Sequence, residues 1–173
     1  MADSAQADVK QVDLSRALKW TGALVFADAF VLNQGAISAI VGLWMLFVSL
    51  PLILLVKGSK ERGRRLARIA IFLGAVLLVF GLNWANNQIA KRRFETLITA
   101  IKAFKQEHQR YPAKLDELVP EFLDHVPLAK YTLAFPSFWY IALPDYHSLF
   151  YVEFPPFGRP SYTFEKDKRW YLD

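Results

Sequence analysis

Charged residues are distributed so unevenly along the chain that two long stretches have none at all. Gly35 to Val56 (GAISAIVGLWMLFVSLPLILLV) is 22 residues without a charge, and about 20 apolar residues carry a helix across a bilayer core. Ile69 to Ala85 (IAIFLGAVLLVFGLNWA) has 17 residues, the short end of the spanning range, with Trp84 at the edge where interfacial aromatics sit. The pattern predicts transmembrane helices over 35–56 and 69–85. Pro51 lies near the end of the first, where tilt and packing absorb its missing hydrogen bond. Upstream, residues 14–33 are mostly apolar and carry charge only at Arg16, Lys19 and Asp28. They form either a third span or a helix lying in the interface, and both readings stay open. At mid-bilayer Asp28 costs about 2.5–3.5 kcal/mol, so it needs a partner or the interface. Asn33, Gln34 and Gly35 read as a tight turn between helices.

Past residue 85 the periodicity becomes that of an aqueous domain. Ala90, Phe94, Leu97, Ile98, Ile101 and Phe104 recur at three- and four-residue steps, which predicts an amphipathic helix over 86–110 continuing from the membrane. Pro112 disfavours helical geometry at Tyr111 and should end it there. Lys114–Val119 then makes short turns that point Leu115, Leu118 and Val119 inward, and Glu121–Val126 repeats them with Phe122, Leu123 and Val126. Tyr111, Pro112, Leu115, Leu118 and Val119 thus form a structural corner. Four strands are expected next, at Tyr131–Phe135, Phe138–Leu143, Ser148–Phe154 and Ser161–Phe164, with Trp170 and Tyr171 after a polar turn. The expected fold is an α+β membrane protein: two transmembrane helices, or three, the last continuing into a long amphipathic helix packed on a small antiparallel sheet. Residues 1–85 form the membrane region and residues 86–173 the α+β domain.

Charge adds orientation. Six Lys or Arg stand against one Glu between Lys57 and Arg68, a basic loop between two apolar runs. By the positive-inside rule that loop is cytoplasmic, and the second span delivers residues 86–173 to the opposite side. A net charge of +5 placed this way points to topology and not to nucleic acid. Without cysteine, thiolate metal sites, disulfides and cysteine nucleophiles are excluded. The N-terminus shows no cleavable signal pattern, so the first span is read as an uncleaved anchor.

Chemistry has little to rest on. His108, His125 and His147 are not spaced as metal ligands. His147 sits beside Asp145 and Ser148, but in a strand Asp145 and His147 share a face while Ser148 points away, which is not triad geometry. Asp116 and Glu117 read as the solvated face of a short helix. We therefore expect no enzyme activity, no cofactor, no metal and no nucleic-acid partner. Lys91, Arg92 and Arg93 are candidate lipid-headgroup contacts, at about 1 kcal/mol each near an anionic surface. Phe138, Trp139 and Tyr140 are consecutive, so at least one points out of a strand. Phe154-Pro155-Pro156-Phe157-Gly158 is a rigid apolar turn. Trp139, Tyr140 and Phe157 are the candidate partner contacts.

The segment ITAIKAFKQEHQRYP (Ile98–Pro112), followed by Leu115, Leu118 and Val119, resembles the end of the long first helix in type II secretion pseudopilins and type IV pilin-like proteins. Over roughly residues 66–173 the order of membrane span, amphipathic helix, Tyr-Pro corner and sheet is similar. Arg64–Arg65 precede the span, but no leader-peptidase element of the Gly-Phe-Thr-x-x-Glu kind follows. The resemblance therefore implies a pilin-type domain on a permanent anchor: a bacterial inner-membrane protein with a periplasmic domain. It would act as a non-catalytic scaffold in a secretion- or pilus-type envelope assembly, with the lipid bilayer and other envelope proteins as partners. The competing reading, an accessory subunit of a membrane transporter or membrane enzyme complex, draws on Asp28 and on the spacing of Gly35 and Gly42.

Overall fold

A computed structural model describes residues 15–55, 57–155 and 157–172. The chain divides into two compact units, Met1–Asn83 and Trp84–Asp173. Each is described by itself.

In the first unit, helix α1 is α-helical over 15–25 and π-helical over Phe26–Leu32. Asn33, in the left-handed conformation, ends it. Helix α2 (Ala36–Leu54) follows, with a π-helical stretch at Met45–Ser49 that ends two residues before Pro51. The Leu50 N–H reaches back to the Met45 carbonyl, a wide turn of the kind that lets a helix continue past a residue lacking a donor. Helix α3 (Ser59–His108) has 50 residues. The basic stretch expected as a loop over 57–68 is therefore mostly helix. The break is confined to the residues before Ser59, and Glu61 pairs with Arg64 (2.7 Å) and Arg65 (2.8 Å) one turn on. Helices α2 and α3 are both long and apolar enough to cross a membrane.

Small residues make the α2–α3 contact close. A Cβ on Gly42 would stand 3.4 Å from Val76 Cγ1, and one on Gly35 would stand 3.0 Å from Phe80 Cε1. Ser38, between these glycines on the same face, is fully buried, as is Val79 opposite. Asp28 finds its partners here: its carboxylate accepts the Gly35 N–H (3.0 Å) and the Ser38 N–H (2.7 Å). It caps the N-terminus of α2, where orphan amides and the helix dipole favour negative charge.

The second unit packs one sheet on the end of α3. Strands β1 (Trp139–Leu143), β2 (Tyr146–Phe150), β3 (Arg159–Thr163) and β4 (Lys168–Leu172) form an antiparallel meander in sequential order. The α3 stripe of Ala90, Phe94, Leu97, Ile98, Ile101 and Phe104 is buried under Leu118, Phe138, Leu149, Tyr151, Tyr162 and Phe164. So the amphipathic helix and its sheet cover are as expected, and strands 138–143 and 161–164 lie within two residues of their predicted bounds. The expected strand Ser148–Phe154 is shifted and shortened to β2, which begins two residues earlier and ends at Phe150. Three further expectations fail. Tyr131–Phe135 is a bent loop and not a strand. The Ala129 and Lys130 N–H groups both close on the Pro136 carbonyl, and Phe135 has φ 53, so the segment folds on itself. Glu121–Val126 is a turn in which the Phe122 and Leu123 N–H groups reach the Leu118 carbonyl, with no second helical turn. Finally, α3 stops at His108, because Gln109 takes a left-handed conformation (φ 57) ahead of Pro112.

Candidate functional site

Strand register sorts the sheet's side chains into two faces. Tyr140, Leu149 and Tyr162 are paired across β1, β2 and β3 and turn toward α3, joining its core. Arg169, next in that row, reaches the helix with a two-pronged ion pair to Glu95 at 2.6 and 2.8 Å. The opposite face carries the row Trp139, Phe150, Ser161, Trp170 and the row Ile141, Ser148, Thr163, Lys168. Alternation in a strand dictates this division. The two central strands place small hydroxyl residues on the outer face, and Ser148, Ser161 and Thr163 are buried there between larger neighbours. The edge strands place large apolar ones, and Trp139, Ile141, Leu143, Trp170 and Leu172 are all exposed. The Trp139 and Phe150 rings stack at 6.2 Å, and Lys168 Nζ lies 4.1 Å over Trp170. The result is an apolar surface whose cations are Arg159 and Lys168.

The three partner-contact candidates separate. Trp139 is 52% exposed on that face. Phe157, 68% exposed, pairs with Phe154 in an isolated bridge after β2. Tyr140 points the other way: its hydroxyl donates to the Pro112 carbonyl at 3.0 Å, and burial pushes its pKa up. It belongs to the corner. There Pro112 and Leu118 are buried, Leu115 packs on the core and Val119 is half-buried. The Tyr111 ring lies 4.3 Å from that of His147, and its hydroxyl accepts from Lys105 Nζ at 2.9 Å.

The three basic residues also separate. Lys91 pairs with Glu153 at 3.1 Å. Arg93 donates to the Leu128 carbonyl at 2.8 Å and to the Tyr131 hydroxyl. Exposed Arg92 joins Lys91, Glu95, Glu153, Arg169 and Tyr171 around a groove of about 570 Å³. Nothing in the sequence pattern singles out Glu153 or Lys130, yet both are buried. Lys130 Nζ donates to the Glu153 carbonyl, and the Glu153 carboxylate accepts from Tyr171 at 3.1 Å. Burial pushes the Lys130 pKa down to about 8, against the pull of the Glu153 charge.

His147 does not meet Asp145 or Ser148. Its ring Nδ1 lies 2.6 Å from Glu165, which also accepts the His147 N–H at 2.9 Å. Burial raises the Glu165 pKa, but these hydrogen bonds win and hold it below the usual carboxylate range. Ser148 lies on the other face of β2, and among the described residues no group of three or more His, Cys, Asp or Glu could hold a metal ion. No protein-family model matches the chain, and no curated protein or solved structure matches it either.

Proposed function

We propose that the protein is a membrane-anchored, non-catalytic interaction module: a pilin-like α+β domain held at the periplasmic face of a bacterial inner membrane. It serves as a scaffold in an envelope assembly of the secretion or pilus type. The outer sheet face carries this reading. Trp139, Ile141 and Leu143 on one edge strand and Trp170 and Leu172 on the other are exposed large apolar side chains on the same face, more than isolated surface hydrophobics need explain. Tryptophan is the residue type most enriched where a few side chains carry the binding energy of an interface. With Arg159 and Lys168 as its cations, the face suits a partner protein with apolar side chains and a carboxylate rim.

Co-purification of the full-length chain from mild detergent tests this. A stoichiometric envelope partner should be recovered with the wild type and lost with Trp139→Ser plus Trp170→Ser, while the variant's circular dichroism stays unchanged. Retention of the partner by that variant overturns the assignment of the face. The second reading, an accessory subunit of a transporter or membrane enzyme, is favoured by the close glycine seam and buried carboxylate of the first unit. Under that reading the partner survives the sheet substitutions and is lost when the exposed α2 side chains Ile40, Leu43 and Phe47 are replaced by alanine.

A further inference from the structure

The Asp28 cap buries a carboxylate whose hydrogen-bond partners are backbone N–H groups. Asp28 is 0% exposed, and both groups bonded to it, the Gly35 and Ser38 N–H, are neutral. Taking an ionised carboxylate out of water costs several kcal/mol unless a countercharge compensates it. Two neighbouring side chains carry buried polar atoms as well. Asn83 is 5% exposed, and among the described residues both its amide oxygen and its amide nitrogen lack a hydrogen-bond partner. Fully buried Ser38, whose own N–H holds Asp28, has a hydroxyl with no partner among the described residues. Asn83 is aimed at the same turn, with Nδ2 3.4 Å from where a Cβ on Gly35 would stand. Buried polar atoms without partners are rare, and each calls for a reason.

We propose that this turn binds a small monovalent cation of the sodium class. Its ligands would be the free lone pairs of the Asp28 carboxylate, Ser38 Oγ, and Asn83 Oδ1 once the amide is turned end for end, since Nδ2 is the end that faces Gly35. Oxygen donors of this kind suit a hard cation. One carboxylate balances one positive charge, which disfavours a divalent ion. A bound water would satisfy the orphan atoms but leave the charge, and a proton would remove the charge but leave most of the orphans. A cation answers the charge and the two orphan oxygens, Asn83 Oδ1 and Ser38 Oγ. The helix N-terminus supports the site by fixing the carboxylate through backbone amides, as outer hydrogen bonds orient ligands in other metal sites. This inference does not depend on the sheet face, and each can fail alone.

The test uses the full-length chain in detergent, with thermal unfolding followed by tryptophan fluorescence. Sodium chloride is titrated against choline chloride at constant ionic strength and constant pH. The expected result is a saturable rise in Tm with sodium and none with choline. Asp28→Asn, which keeps a capping oxygen, should abolish the rise. Asn83→Leu should raise its half-point on the order of tenfold. Equal Tm in both salts overturns the proposal, as does a sodium effect that persists in Asp28→Asn. A Tm that responds to pH and not to sodium assigns the site to a proton and overturns it too. Should Asp28→Asn fail to fold, sodium-23 NMR on the wild type and Ser38→Ala decides: excess line broadening in the wild type, reduced in Ser38→Ala, supports the site, and its absence from the wild type sinks it.

Discussion

Lys130 is 1% exposed with its ammonium on a backbone carbonyl, and burial sets the sign of its contribution. Its pKa falls from an ordinary 10.5 to about 8 on folding. Between those values the unfolded chain holds a proton that the folded chain has released, so stability rises with pH through that window. Above about pH 10, Tyr140 and Tyr151 oppose it. Burial raises their pKa, so the folded form keeps protons that the unfolded form loses, and stability falls again. We expect denaturant midpoints for the second unit to rise from pH 7.5 to pH 9.5, and Lys130→Met to flatten that slope. Gly158 is a second residue-scale constraint. It has φ 72, and a Cβ there would lie 2.6 Å from the Tyr171 hydroxyl, which is the donor to Glu153. Gly158→Ala should lower stability by about 1–3 kcal/mol, measured by chemical denaturation, combining backbone strain with the displaced hydrogen bond.

Among the elements, the corner after α3 shows how far local pattern reaches. The Tyr-Pro pair predicts a stop, and the chain does turn there, but tertiary contacts hold it. Tyr140 donates to the Pro112 carbonyl and His147 lies against Tyr111. Tyr140→Phe should therefore cost about 0.5–1.5 kcal/mol, the net value of one such bond. Tyr111→Ala with Pro112→Ala should make the second unit more sensitive to limited proteolysis while leaving membrane insertion intact. Unchanged resistance would show that the corner is not held this way. The loop at 131–135 gives the converse case. Aromatic and β-branched residues make Tyr131–Phe135 look like a strand, yet the Pro136 carbonyl captures two N–H groups from residues 129 and 130, and Asn86 on α3 accepts the Tyr131 N–H at 2.9 Å. Strand propensity measures fit to a pleated surface, and this segment has no neighbouring strand to fit.

For the molecule as a whole, the proposed function turns on orientation, and composition supplies a direct measurement. The chain has no cysteine, so any introduced one is unique. We expect Ser137→Cys, at an exposed loop position, to react with a membrane-impermeant maleimide from the outside of spheroplasts. Ser59→Cys, at the start of the basic stretch, should react only after permeabilisation. The reversed pattern would place the sheet in the cytoplasm and remove the periplasmic reading. Two helices long and apolar enough to span, a buried helix stripe and a small antiparallel sheet were legible in the sequence because each rests on a local pattern: uninterrupted apolar length for the first, three- and four-residue steps for α3, alternation for the strands. Periodicity is a property of consecutive residues. Asp28 meeting the start of α2, Asn83 turned toward Gly35, Lys130 on Glu153 and Tyr140 facing inward while Trp139 faces out all depend on which distant segments come together. Desolvation and hydrogen-bond geometry, which exist only once the chain has packed, settle those pairings.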